Sequence, residues 1–194
     1  MHRHSLLNLL AAYTPTSPHE QEVRDRMQRF VLDHLDCFQR ELLIGHITGS
    51  AWVVNRDMTK TLLTHHLKLD KWLQLGGHCD GDSDVLRVAL REAVEESGVY
   101  DIVPHSHDIF DLDIHPIPER RTDTVFEPAH LHYDVRFLLI ADDTAPLVVT
   151  AESKDIQWVA LSDVHTLTQE ESVLRMVAKT QHLHHRFEKT HSVS

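Results

Sequence analysis

Residues Leu75 to Val99 read LGGHCDGDSDVLRVALREAVEESGV, a glycine pair and an acidic turn that lead into one short helix. At about 100° per residue, Leu86, Ala89, Leu90, Ala93 and Val94 fall on one side of that helix, while Glu92, Glu95 and Glu96 crowd another arc. The spacing predicts a core face and an acid face. Carboxylates three and four residues apart repel by roughly 0.2–0.5 kcal/mol per pair, and Glu95 and Glu96 stand in the last turn before Gly98, where the helix dipole also disfavours anions. A divalent cation would offset both penalties, and clustered oxygen ligands are what Mg2+ or Mn2+ accepts. The plainer alternative is a solvated acid face that binds nothing.

The same residues carry a resemblance. From Gly77 the order Gly, five residues, Ser83, seven residues, Arg91-Glu92-Ala93-Val94-Glu95-Glu96-Ser97-Gly98-Val99 resembles the Nudix box, the signature of the Nudix hydrolases. Gly77, Arg91, Glu92, Glu95, Glu96, Gly98 and Val99 match, and Ala93 is a small version of the aliphatic residue at its position. Chance agreement of the six charged and glycine matches in any one window is below about one in a million. Ser83 departs from the pattern, standing where the box has its first Glu. In the family that Glu is thought to brace the loop against the box arginine, and a serine supplies no such charge. Asp80, Asp82 and Asp84 lie close enough in sequence for a shifted pairing with Arg91.

The resemblance implies an αβα sandwich with a mixed β-sheet, matched from about His46 to Arg175. It also implies Glu92, Glu95 and Glu96 as ligands of Mg2+ or Mn2+, with Arg91 beside them in the catalytic set. Glu152 is a candidate further ligand or base, or else an exposed loop acid. The implied activity is a metal-dependent pyrophosphohydrolase that cleaves a diphosphate linkage in a nucleoside diphosphate joined to another group. Two alternatives stay open. One is a Nudix-fold binding or regulatory protein without turnover; the other is an isomerase-type Nudix enzyme, which needs a reactive cysteine. Cys79, inside the box loop, is not a natural place for one.

Composition agrees with a single globular domain. A chain of 194 residues can bury about two thirds of its unfolded surface. The expected division is an N-terminal helical arm over 1–43, a core over about 46–175, and a C-terminal helix to about 187. The net charge of −11 excludes strong non-specific binding to nucleic acid or anionic membrane, since both reward basic surface. The partner expected is therefore a small phosphorylated, nucleotide-derived substrate. Cys37 and Cys79 are too few for a disulfide framework and fit a cytoplasmic setting. The Leu-rich run Leu6 to Ala12 is broken by Asn8 and leads into a helix, unlike a signal peptide. Eighteen histidines are spread along the chain without the spacing or cysteine partners of a zinc site, and are read as surface or core residues.

Along the chain, residues 5 to 13 read as a short helix, and Ser17-Pro18-His19-Glu20 as a capping box. The box opens a long helix to about Cys37, whose buried face serves packing or a homodimer. His46 to Asn55 and Thr61 to His66 are β-prone runs around a turn at Arg56 to Thr59. Gly76 and Gly77 permit close approaches in the box loop, and Gly98 takes the C-cap role. Asp108 to Ile114 is an expected strand and Pro116 to Pro128 an expected loop, in which Arg120 and Arg121 either grip substrate phosphate or are solvated or paired with Asp123 and Glu119. His130 to Ala141 alternates most clearly. Leu131, Tyr133, Val135, Phe137 and Leu139 form its core face, and His130, His132, Asp134 and Arg136 a polar face. His132 and Arg136 there either line the substrate site or are solvated or paired structurally. Ile156 to Leu161 is a further strand, and Thr168 to Glu171 repeats the capping-box pattern before a final helix.

Overall fold

A computed structural model describes residues 2–121 and 126–191. In chain order the elements are α1 (His4–Ala12), α2 (Pro18–Asp33), β1 (Gly45–Asn55), β2 (Lys60–His66), β3 (Lys71–Leu73), β4 (Leu75–His78), α3 (Val85–Ser97), β5 (Val103–Pro104) and β6 (Asp111–Ile117). There follow β7 (Arg120–Arg121), β8 (Phe126–Glu127), β9 (His130–Ala141), β10 (Ser153–Ala160), α4 (Val164–Leu167) and α5 (Glu171–His191). The main sheet has the order β10-β2-β1-β9-β5, with β3 beside β2, β4 beside β1 and β6 beside β9. The chain divides into two compact units, and β1, α3 and β9 each contribute to both.

The first unit holds Met1–Ser50, Gly76–Ala89 and Ser106–Phe137. Its helical arm follows from local sequence. Ser17 caps α2 by accepting the Glu20 amide at 3.2 Å, and Pro18 occupies the first helical position. The Glu20 carboxylate is buried and accepts from the Tyr13 hydroxyl at 2.8 Å and the Thr16 amide at 3.0 Å, which ties α2 to the end of α1. Helix α2 stops at Asp33, short of the expected Cys37. The Arg3 guanidinium donates there to the carbonyls of Val31 (2.5 Å), Leu32 (2.9 Å) and His34 (3.3 Å), taking over acceptors that another helical turn would use. On the sheet side, Phe30 stacks on Tyr133 with ring centroids 3.8 Å apart. The expected strand from Asp108 is realised as β6, beginning three residues later and pairing antiparallel with β9 from Asp111↔Arg136 to Ile117↔His130. The expected loop after it carries a small ribbon, β7 with β8.

The second unit holds Ala51–Leu75, Leu90–His105 and Leu138–Ser194. The turn between β1 and β2 is closed by Asn55, whose side-chain oxygen accepts the amides of Thr59 (2.9 Å) and Lys60 (2.8 Å) while Met58 adopts φ 54°. Strand β2 pairs antiparallel with β10 along nearly its whole length. The indole N–H of fully buried Trp52 donates to Thr180 on α5 at 2.8 Å, and Thr180 donates in turn to the Met176 carbonyl at 2.8 Å. No helix among the described residues is long and apolar enough to cross a membrane.

Candidate active site

Helix α3 begins where the acidic turn caps it. The Asp84 carboxylate accepts the Arg87 amide at 3.2 Å, the N-cap bond, and Asp82 accepts the Asp84 amide at 2.9 Å. The face turned inward is Val85, Val88, Ala89, Ala93 and Ser97, whereas Leu86, Leu90 and Val94 are only half-buried. This rotates the expected core face toward the small residues. The reason is close approach: a Cβ on Gly49 of β1 would stand 2.9 Å from the Val85 carbonyl, so helix and strand backbones meet where leucines would not fit.

The rotation draws Glu92 toward the interior and leaves Glu95 in solvent. The Glu92 side chain is 17% exposed and Glu95 62%. Burial raises the Glu92 carboxyl above its ordinary range; a hydrogen bond and charge from Arg91 oppose this, and the charges of Glu95 and Glu152 add to it. Arg91 donates to Glu92 at 2.7 Å and lies 3.9 Å from Glu95. Glu152 follows a segment that packs on the end of the helix. Gly98 has φ 73° and its amide returns to the Val94 carbonyl at 2.9 Å, while the Val148 amide donates to the Ser97 carbonyl at 2.9 Å. A Cβ on Gly98 would lie 2.6 Å from the Val148 side chain, so glycine there lets the segment leading to Glu152 close on the helix.

Before the helix, Arg40 holds Asp80 through two bonds of 2.5 Å, and Arg87 holds Asp82 at 2.6 and 2.9 Å. The aspartates that flank Ser83 are thus engaged with Arg87 and with the helix cap. Gly76, at φ 156°, packs where a side chain would collide with Ser50 and with the Gly49 carbonyl.

The NUDIX domain family model matches residues 46–179. The chain belongs to the Nudix family. Its fold is the αβα sandwich of Nudix structures, with a mixed curled sheet and the helical arm α1–α2 preceding the matched region. Similar solved structures include an Ap4A hydrolase from C. elegans in a binary complex (13% identity, 71% of this chain and 96% of that one, TM-score 0.53). The E. coli dihydroneopterin triphosphate pyrophosphohydrolase is also similar (15% identity, 68% and 91%, TM-score 0.51). So is the MutT protein from Methanosarcina mazei (17% identity, 71% and 94%, TM-score 0.51). No curated protein matches the sequence.

The remaining candidate residues fall outside the Nudix box. Arg120 and Arg121 are exposed on β7, and Arg121 lies over the Phe126 ring at 4.7 Å. Asp123, considered as their partner, lies outside the described residues. Arg136 requires a correction as a substrate ligand. Its side chain is 2% exposed and donates to Asp134 (2.7 Å), Asp111 (3.2 Å) and Asp113 (3.3 Å). Asp134 also accepts the hydroxyls of Thr48 (2.9 Å) and Ser50 (2.7 Å). The polar face of β9 is therefore an interior network, because β9 is buried on both faces along its centre.

His132 belongs to a group that sequence reading left scattered. The rings of His46, His78, His130 and His132 lie with neighbouring centroids 4.7 to 5.2 Å apart, and His115 stands 5.5 Å from His132. Burial and the other histidines push His46 down to about 4 and His132 to about 2, so both are neutral imidazoles at neutral pH. The pair His130 and His132 was legible as two residues on one strand face; the strand that brings His46 beside them was not.

Proposed function

We propose that this Nudix protein is a metal-dependent hydrolase that cleaves a diphosphate linkage in a nucleoside diphosphate joined to another moiety. The observation that carries the reading is the Nudix box helix itself, in a chain of that family: half-buried Glu92 lies beside exposed Glu95 on α3, with Arg91 donating to Glu92 at 2.7 Å. Oxygen donors of this kind suit Mg2+ or Mn2+, so the donor set fits. Glu92, Glu95 and Glu96 would hold the ion, with Glu152 as a further ligand. When bound, such an ion neutralises charge on phosphoryl oxygens and acidifies a coordinated water.

The chain's own residues set the rest. Arg91, paired with Glu92 at 2.7 Å, opposes the burial that favours protonation and orients that carboxylate. Exposed Glu95 leaves the cluster open to solvent and to a phosphate-bearing molecule. The Gly98 to Val148 closure fixes the segment of Glu152, whose own carbonyl accepts the Leu67 amide at 2.8 Å. Two of the similar structures are named for substrates with phosphoanhydride bonds; that likeness concerns the fold, and the substrate class here rests on the carboxylates.

The test is incubation of the purified protein with a panel of nucleoside diphosphate derivatives, with and without Mg2+ or Mn2+, following product release. Hydrolysis of at least one member, dependent on metal and lost in Glu95→Gln with Glu96→Gln, is the expected result. Metal-dependent binding of the same compounds without turnover would favour a regulatory Nudix protein instead.

A further inference from the structure

We propose that His46, His130 and His132 form a binding site for one divalent transition-metal ion of the zinc class, built from no residue of the Nudix box. One ligand nitrogen from each residue lies within 4.8 Å of the other two. Tetrahedral coordination at the usual zinc–imidazole distance places nitrogens about 3.4 Å apart, so modest side-chain rotation closes the group on an ion. The scaffold is rigid. His130 and His132 are two residues apart on β9 and project from the same face, and His46 is the second residue of the neighbouring strand β1.

The chemistry of the nitrogens points to a ligand. His46 is 2% exposed and both of its ring nitrogens lack a hydrogen-bond partner among the described residues, as do Nε2 of His130 and Nε2 of His132. Buried polar atoms are normally paired, so four unpaired imidazole nitrogens gathered at one point require an explanation. His130 shows how the explanation runs. Its Nδ1 lies 2.8 Å from the Pro128 carbonyl, which can only accept, so Nδ1 carries the proton and Nε2 presents a bare lone pair. A carbonyl behind a histidine fixes the ligating tautomer in metal sites. Around the trio, His115 sits opposite His132 on β6 with its Nδ1 3.0 Å from Asp113, which places a carboxylate in the surroundings of a cationic centre. Imidazole donors without carboxylate select zinc, cobalt, nickel or copper over magnesium, so this site and the carboxylate cluster of α3 differ in the ion they take.

The experiment uses the full chain, stripped by chelator and dialysed, then titrated with Zn2+ by calorimetry and with Co2+ by visible absorption. The expected result is one Zn2+ per chain, a raised unfolding temperature, and the intense Co2+ spectrum of a four-coordinate site with three nitrogen ligands and one water. The Glu95→Gln with Glu96→Gln variant should retain all three, as should His182→Gln with His184→Gln and His185→Gln, which removes the other histidine cluster on α5. His46→Gln and His132→Gln should each weaken Zn2+ by at least tenfold while circular dichroism stays native. Should either variant not fold, the wild-type Co2+ spectrum and the α5 variant decide alone. No stoichiometric Zn2+ binding by folded protein, an octahedral Co2+ spectrum, or loss of binding in the α5 or glutamate variants would overturn the proposal. Because the readouts are binding and spectra, they are independent of whether the protein hydrolyses a diphosphate.

Discussion

The carboxylates of α3 and the polar face of β9 are both groups of charged or titratable side chains beside the sheet, yet they are built in opposite ways. On α3 the anions lie within about one helical turn, partly exposed, and Arg91, itself 39% exposed, lies beside two of them. On β9 the charges are deeply buried and tied together by hydrogen bonds: the single guanidinium of Arg136 donates to three aspartates, and Asp134 also accepts two hydroxyls. The two groups hold the same excess of carboxylates over guanidinium, so what separates them is access to water: a site proposed to exchange a cation and a substrate needs its carboxylates near solvent, and a network that holds strands together does not. Polarity alone therefore does not mark function; its exposure is the better guide.

The contrast is broken most severely from the buried side. Arg136→Met should destabilise the protein by about 3–5 kcal/mol in urea unfolding, because it leaves carboxylates buried without their cation, whereas Arg91→Met at the exposed pair should change stability by less than about 1 kcal/mol. Similar values for the two variants would show that burial does not make the Arg136 network the costlier of the two to break. On the α3 side, Glu95→Gln with Glu96→Gln should lower turnover by more than about 100-fold, since it removes two direct ligands where loss of a supporting residue alone typically costs 10–100-fold. The same variant should lose the rise in unfolding temperature given by Mg2+ or Mn2+, and an undiminished rise would remove these residues from the metal site.

Smaller effects sharpen the comparison. Arg120→Ala with Arg121→Ala should raise KM for a diphosphate substrate several-fold and leave the unfolding midpoint unchanged, as both side chains are exposed. An unchanged kcat/KM at fixed Mg2+ and ionic strength would place these arginines outside the site. Least of all, Ser83→Glu should alter stability by about 0–1 kcal/mol, since its new charge is only partly buried. A large loss of stability or activity would mean that the engaged aspartates at 82 and 84 already do what a glutamate at 83 would do.

Legibility in the sequence followed the range of the interactions. The Ser17 cap, the turn at Asn55 and the limits of β9 depend on neighbours within a few residues, and local spacing sufficed for them. The inward face of α3 did not follow from leucine periodicity, because the approach of Gly49 on another strand selected the small residues instead. The stop of α2 at Asp33 depended on Arg3, some thirty residues away in sequence. The glutamates were legible as a motif; the packing of Val148 on Gly98 at the end of their helix was not. The histidine group assembles from positions 46, 78, 115, 130 and 132, and no local pattern connects the first of these to the last two.

The bond from Trp52 to Thr180 has a spectroscopic consequence. An indole shut away from water and hydrogen-bonded to a helix near the chain's C-terminal end is an optical gauge of whether that helix is docked. If α5 lifts while the sheet persists, Trp52 emission should shift to longer wavelength before the far-ultraviolet dichroism of the strands changes. With Trp72 and Trp158 replaced by phenylalanine to leave one emitter, stopped-flow fluorescence would then time the departure of the C-terminal helix separately from the collapse of the strands.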